Sequence, residues 1–228
     1  MCSVDFNAKL ARSLRKKIGN DSVYLSSVRF GWGAGLCSML LESIQFFEQR
    51  FQFSHFLSID TDTLFIARGA DSKILNFVSS HNIGMIGKHL IATKWKQRYS
   101  TFKGEVKKIF GKIPPQYIPG EGVQGGCMLI TDSFISEMRK REFFKPPVIE
   151  IHRYIPIPDD HLLPLMCRVC NLEIVNAFPT IHAQWRATID PRSLDSTVSC
   201  VFHPTKLRPR SSKEIKKKIR KFFREKRQ

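Results

Sequence analysis

The chain has 228 residues, of which 42% are hydrophobic and 11% aromatic, and it carries 18 phenylalanines. This length and composition provide for one domain with a hydrophobic core, and they exclude an intrinsically disordered chain. No run of about 18 apolar residues occurs, so we expect no membrane-spanning helix. The first residues have basic side chains but no apolar stretch, so we expect no signal peptide. The six scattered cysteines then indicate a reduced, cytoplasmic protein.

The formal net charge is +17, and it is unevenly distributed. Residues 207–228 contain eleven Lys or Arg against two Glu, or +9, which leaves +8 for the rest of the chain. Residues 213–226 have the pattern of a basic amphipathic helix, a type that lies on anionic membrane surfaces. Its apolar face consists of Ile215, Ile219, Phe222 and Phe223. We therefore expect peripheral attachment at the inner face of the membrane.

Hydrophobic periodicity predicts strands that alternate with helices along the chain. The predicted helices span residues 1–20, 36–51, 71–80 and 132–144, and another helix begins at residue 159. The predicted strands span residues 23–30, 55–59, 83–87, 127–131, 172–178 and 198–202. Strands that are almost entirely apolar and alternate with helices favour an α/β fold with a mostly parallel sheet, covered on both faces.

Three other segments have distinctive compositions. Residues 88–112 are basic with interspersed aromatic side chains, and residues 114–126, PPQYIPGEGVQGG, have the composition of a long loop. The Cys-x-x-Cys pair at Cys167 and Cys170 lies in the apolar sequence LLPLMCRVC. No second pair at zinc-site spacing accompanies it, so we assign these cysteines to a buried helix and not to a metal or redox site.

The sequence FLSIDTDTLFI places Asp60, Thr61 and Asp62 at the end of a predicted buried strand. Two carboxylates on alternate positions offer the hard oxygen ligands that Mg²⁺ and Mn²⁺ prefer. In α/β sheets, ligands bind at the carboxyl ends of the strands, where this pair lies. A solvated turn is the alternative explanation for an isolated Asp-x-Asp.

Further candidates follow later in the chain. Gly125 and Gly126 in GEGVQGG would let a ligand approach the backbone closely, although a plain turn would also need glycines. His203 and Lys206, in FHPTK, offer an imidazole for a metal and a cation for a diphosphate. A solvated or structural histidine is the alternative for His203.

Asp159 and Asp160 open the helix that is predicted from residue 159. Capping of the helix explains such a pair equally well. Pro164 follows closely, so we expect an irregular first turn that could aim a carboxylate into a cleft. The N–H groups of the helix start should keep that carboxylate ionised, as a general base for a saccharide hydroxyl requires.

In order along the chain, these motifs resemble the glycosyltransferases of the GT-A fold. The resemblance runs from Val28 to Lys206 and is carried by FGWGAG, FSHFLSIDTDTLFI, EGVQGGCMLIT, PDDHLL and FHPTK. The turn FGWGAG and the helix after it also resemble, more weakly, the branching N-acetylglucosaminyl- and xylosyltransferases. The resemblance implies a Rossmann-like GT-A domain over residues 1–206, with 207–228 as a tail. Only 59 residues precede Asp60, which implies a shortened nucleotide-binding part.

The resemblance also implies roles for individual residues. Asp62, Asp60 and His203 would hold Mn²⁺ or Mg²⁺, and Asp160, with Asp159 second, would deprotonate the acceptor hydroxyl, with inversion. The remaining contacts to a nucleotide-sugar, expected to be UDP-linked, would come from Asp60, Thr61, Asp62, Lys206, Gly125 and Gly126. The predicted partners are therefore a nucleotide-sugar, a glycan or lipid-linked acceptor and an anionic membrane surface.

Two other functions remain open at this stage. A catalytically inactive, glycosyltransferase-like interaction protein would share the motifs but lack turnover. A basic nucleic-acid-binding protein would explain the pI of about 9.9 and the aromatic side chains in residues 88–112. No helix-turn-helix, zinc-finger or RNA-recognition motif accompanies them, so we expect no nucleic-acid partner.

Overall fold

A computed structural model of the chain describes residues 2–4, 7–26, 33–60, 63–183, 199–203 and 221. The strands are β1 (Cys2–Val4), β2 (Val23–Leu25), β3 (His55–Ile59), β4 (Leu64–Phe65), β5 (Ile83–Ile91), β6 (Glu121–Thr131), β7 (Glu173–Asn176), β8 (Ile181–Ala183) and β9 (Val201–His203). The α-helices are α1 (Ala8–Ile18), α2 (Ala34–Glu48), α3 (Ala70–Leu75), α4 (Thr93–Thr101), α5 (Lys103–Phe110), α6 (Asp132–Lys140) and α7 (Asp159–Val169). A 3₁₀-helix spans Ile151–Arg153.

The main sheet has four strands in the order β3-β6-β5-β7. Strand β6 runs antiparallel to both of its neighbours, and only β5 and β7 are parallel. The α/β class is confirmed, but the mostly parallel sheet was predicted wrongly, because the sheet is mixed. An apolar strand has the same pattern in either direction, so hydrophobicity could not reveal that β6 reverses.

Side chains of the paired central strands alternate between two cores. Met85 on β5 lies opposite Ile130 on β6, and both belong to the larger core. Their neighbours Ile86 and Leu129 belong to the smaller core on the other face. Helices α2, α6 and α7 line the larger core, while α3 and strands β8 and β9 contribute to the smaller one. The prediction that both faces are covered is confirmed.

Two smaller sheets complete the described architecture. Strands β1 and β2 pair in parallel, and β4, β9 and β8 form a three-stranded sheet in that order. Strand β9 is antiparallel to β4 and parallel to β8. Because β4 begins four residues after Asp60 and pairs with β9, this small sheet brings residues 201–203 to the end of β3.

Two local predictions were wrong. Strand β3 was expected to be buried, but it lies at the edge of the main sheet, and Ile59 is 49% exposed. Residues 121–126 were expected to be a loop, but they form the first half of β6 and pair with β5. Close packing explains Gly122, since a Cβ there would lie 2.7 Å from Cε1 of His161.

Cys167 and Cys170 are buried and without disulfide bonds, and burial raises the pKa of both thiols. The assignment of this pair to the core is therefore confirmed. The predicted amphipathic helix 213–226 lies outside the described residues except for Lys221, which is helical. Among the helices that the structure describes, none combines the length and the apolar character needed to cross a bilayer.

A buried ionic cluster fixes the start of β6 against α7 and β5. The Glu121 carboxylate is fully buried and accepts hydrogen bonds from Arg168 Nη2 at 2.6 Å and His89 Nε2 at 2.9 Å. Burial alone would raise the pKa of Glu121, but the hydrogen bonds from His89 and Arg168 outweigh it, so the pKa is lowered. The carboxylate is therefore ionised, and it links three elements.

We predict that Glu121→Gln lowers the free energy of unfolding by about 2 to 4 kcal/mol, because Arg168 would keep its buried charge without a counter-ion. Chemical denaturation of the purified variant measures this loss. Glu137→Gln is the matched control: its carboxylate pairs with Lys140 and Arg141 at the surface, where we expect a loss below about 1 kcal/mol. Equal losses in the two variants would contradict the structural role of Glu121.

Candidate functional site

The end of β3 turns sharply at Asp60. The Asp60 N–H donates to the carbonyl of Gly126 at 3.1 Å, and the Thr63 N–H donates to the carbonyl of Asp60 at 3.0 Å. The Thr63 hydroxyl donates a second hydrogen bond to the Gly126 carbonyl. The backbone of Asp60 is thereby held against β6, while its side chain remains 56% exposed. Thr61 and Asp62 lie outside the described residues.

His203 reaches this turn from β9. Its Nε2 lies 3.2 Å from the Asp60 Oδ2, and the residue is 8% exposed. The imidazole packs on Gly126, which has a φ of +100°, and a Cβ there would lie 2.2 Å from His203 Nδ1. The glycine was predicted to give space to a ligand, whereas here the space is filled by His203. A Cβ on Gly125 would meet nothing within 4 Å among the described atoms.

The start of α7 brings two carboxyl groups to the same region. Burial raises the pKa of Asp159 to about 7, and the negative charge of Asp60 contributes to this rise. Burial and the charge of Asp159 raise the pKa of Asp160 to about 8. The expectation that helix N–H groups keep this carboxylate ionised was wrong. These groups do lower both pKa values, but desolvation of a side chain only 3% exposed outweighs them at Asp160.

The first turn of α7 is regular, which corrects the irregular turn that was expected from Pro164. The N–H groups of His161 and Leu162 donate to the carbonyl of Pro158 at 3.0 and 2.9 Å, and the helix continues through Pro164 to Val169. Proline removes one intrahelical donor, and the carbonyl that loses it is that of Asp160, four residues earlier.

His161 is a neighbour of the site that the sequence patterns did not single out. Its Nδ1 donates to the Glu121 carbonyl at 2.9 Å, and its ring centroid lies 5.3 Å from that of Trp95. Burial lowers the pKa of this imidazole, so it is neutral at pH 7 and its Nε2 carries the lone pair. That Nε2 lies 3.9 Å from Asp160 Oδ1, which has no hydrogen-bond partner among the described residues. The only sequence feature that could have pointed to His161 is its position directly after Asp159 and Asp160.

The structure thus brings together three segments that are distant in sequence, because Asp60, Gly126 and His203 meet at the end of β3. The start of α7, with Asp159 and Asp160, packs on β6 at Gly122, and the charge of Asp60 contributes to the raised pKa of Asp159. Lys206 lies outside the described residues. The described residues contain no cluster of three or more His, Cys, Asp or Glu with the geometry of a metal site, and Asp60 and His203 form a pair.

The Asp60 and His203 pair is compatible with a divalent ion. Two adjacent ligands of an octahedral ion with bonds of about 2.1 Å lie about 3 Å apart. The 3.2 Å between Asp60 Oδ2 and His203 Nε2 matches this spacing. A carboxylate oxygen and an imidazole nitrogen also form a donor set that Mn²⁺ accepts, with water or phosphate oxygens in the remaining positions.

Comparisons with solved structures show distant structural similarity. The crystal structure of mouse xyloside xylosyltransferase 1 in its apo form is similar to this chain with a TM-score of 0.43 and 10% sequence identity. The similarity covers 76% of this chain and 69% of that one. No family model matches the chain, and no curated protein matches it. A similarity of this degree carries no weight for function, which has to be inferred from the side chains themselves.

We predict that Asp160→Asn removes much of the pH dependence of stability. A carboxyl whose pKa is raised by folding holds its proton in the native state, so it costs stability as the pH rises from about 4 to about 8. The variant should therefore gain about 1 to 3 kcal/mol of unfolding free energy relative to the wild type at the upper end of this window. Urea denaturation across the pH range measures the gain, with exposed Asp71→Asn as control. Parallel pH profiles for the wild type and Asp160→Asn would contradict the burial of this carboxyl.

Proposed function

We propose that the chain is a metal-dependent glycosyltransferase that moves a sugar from a nucleotide-sugar, expected to be UDP-linked, to a hydroxyl of a glycan or lipid-linked acceptor. The observation that supports this proposal best is the approach of Asp60 and His203 to 3.2 Å beside Gly126. These three residues come from segments that are far apart along the chain. Their convergence favours a site over a solvated turn.

The donor half of this site consists of Asp60 and His203, with Asp62 as the third proposed ligand. These side chains would hold the divalent ion, and Lys206 would add a positive charge against the diphosphate. When bound, the ion neutralises the negative charge that builds up on the departing nucleoside diphosphate. In this half, the carboxylate of Asp60 is partly exposed to solvent, whereas the ring of His203 is buried.

The acceptor half consists of the two carboxyl groups at the start of α7. We assign to Asp160, with Asp159 second, the removal of the proton from the attacking acceptor hydroxyl. A general base is most effective when its pKa lies near the working pH, and burial raises these two values to about 8 and about 7. A base that acts directly on the acceptor hydroxyl is the arrangement expected for inversion at the transferred carbon.

A second candidate function is a binding protein with the same architecture and no turnover. The burial of Asp160, which is 3% exposed, favours this candidate, because an acceptor would have to reach a covered carboxyl. Nucleotide binding without transfer or hydrolysis would distinguish it from an enzyme. In either case, we propose that the basic residues 213–226 attach the protein to anionic membranes.

Calorimetric titration with UDP, with and without Mn²⁺, tests the donor site. We predict binding that depends on Mn²⁺ in the wild type and falls at least about tenfold in His203→Ala and in Asp62→Ala, because each removes one ligand. His81→Ala, which removes an exposed histidine, is the matched control and should bind like the wild type. Metal-independent binding, or equal affinity in His203→Ala and His81→Ala, would contradict the assignment.

A further inference from the structure

Helices α4 and α5 together form a cationic face next to the acceptor half. They carry six cations, Lys94, Lys96, Arg98, Lys103, Lys107 and Lys108, against a single acidic residue, Glu105. All six cationic side chains are exposed. We call the three cations of α4, namely Lys94, Lys96 and Arg98, the α4 cation cluster. Helix α4 itself contains no acidic residue, so its positive potential is not balanced locally.

The ion pairs of the described residues show that this face differs from the surface around α6 and the 3₁₀-helix. Around α6 and the 3₁₀-helix, the exposed cations Arg139, Lys140, Arg141, Lys145 and Arg153 each pair with a glutamate. By contrast, no ion pair within the described residues involves a cation of α4 or α5. A set of like charges close together is repulsive, so an anionic ligand would be bound favourably there.

Two members of the α4 cation cluster, Lys94 and Arg98, are positioned by contacts with Trp95. The Arg98 guanidinium lies 4.7 Å and the Lys94 ammonium 5.6 Å from the centre of the Trp95 ring system. Cation–π contacts of this kind restrict the positions of the charges. Helix α4 is itself fixed to β6, because the Ala92 N–H donates to the Gly120 carbonyl at 2.9 Å.

Trp95 also connects this cluster to the proposed acceptor site. Its ring packs on the imidazole of His161, whose Nε2 lies 3.9 Å from Asp160 Oδ1. The Trp95 ring therefore contacts both the cations Lys94 and Arg98 and the imidazole of His161, which neighbours the proposed base. A ligand bound by Lys94 and Arg98 would lie beside the start of α7.

From this placement we infer that the acceptor is an acidic glycan, with carboxylate, sulfate or phosphate groups that the α4 cation cluster recognises. The inference rests on the proposed transfer function, which assigns the acceptor hydroxyl to the start of α7. The anionic groups of the glycan would contact Lys94 and Arg98, and the neighbouring sugar would present its hydroxyl to Asp160. The moderate positive charge of the chain outside residues 207–228, +8, favours the same kind of ligand.

The aromatic side chains of this region argue against a single-stranded nucleic acid as the ligand. Proteins that bind such strands stack successive bases on exposed aromatic rings. Here Tyr99 and Tyr117 are only 6% and 8% exposed and pack on each other at 5.2 Å. Phe102 and Phe110 pack against the larger core. Trp95 is the remaining aromatic side chain of α4 and α5, which suits one sugar residue better than a row of bases.

Binding of hexagalacturonate, an acidic hexasaccharide, tests the inference by calorimetry at low ionic strength. We expect the wild type to bind it at least about tenfold more tightly than maltohexaose, which is uncharged. The double variant Lys94→Gln/Arg98→Gln should lose about tenfold in affinity for hexagalacturonate, whereas Lys107→Gln/Lys108→Gln on α5 should lose less than about threefold. Both variants remove the same charge from exposed positions, so circular dichroism should show that both fold.

Three outcomes would overturn the inference. These are equal affinity for the two hexasaccharides, equal losses in the two double variants, and tighter binding of an oligothymidylate of equal charge through Lys94 and Arg98. Titration of the same proteins with UDP and Mn²⁺ separates this result from the proposed function. Selective hexagalacturonate binding without UDP binding would contradict transfer and leave an acidic-glycan-binding surface. UDP binding without the selectivity would support the donor site and refute the acidic acceptor.

Discussion

The missing side chain of Gly126 is the constraint on which both the sheet and the candidate site depend. Its carbonyl accepts hydrogen bonds from the Asp60 N–H and the Thr63 hydroxyl, which holds the end of β3 against β6. Its α-carbon leaves the space that the His203 ring occupies, and its φ of +100° is one that side-chain-bearing residues rarely adopt. An alanine at this position would have to displace His203, so Asp60 and the imidazole could not keep their 3.2 Å separation.

The pKa values of the buried carboxyl groups depend on the balance between burial and the neighbouring groups. At Glu121, the hydrogen bonds from His89 and Arg168 overcome the cost of burial and keep the carboxylate ionised. At Asp159 and Asp160 burial and the negative charges of Asp60 and Asp159 act in the same direction, and the pKa values rise to about 7 and about 8. The same kind of side chain thus fixes the fold in one place and is ready to exchange a proton in the other.

The sequence predicted the elements better than their directions and exposures. Helices α2, α6 and α7 and the position of Asp60 after a strand followed from periodicity, because each element has its own local pattern. The direction of β6 and the edge position of β3 depend on how the strands pair, which the local pattern of an apolar strand does not reveal. The pKa of Asp160 could not be predicted either, because its desolvation comes from packing distant in sequence. His161 was missed for the same reason, since its neighbours Glu121 and Trp95 lie far away along the chain.

The central claim is that Asp60 and His203 are ligands of one divalent ion, and pulsed electron paramagnetic resonance of Mn²⁺ bound together with UDP tests it most directly. If the claim is right, the spin echo of the wild-type complex carries nitrogen modulation from one coordinated imidazole. That modulation should persist in His81→Ala and disappear in His203→Ala. A bound Mn²⁺ whose spectrum lacks imidazole coupling, or keeps it without His203, would contradict the account.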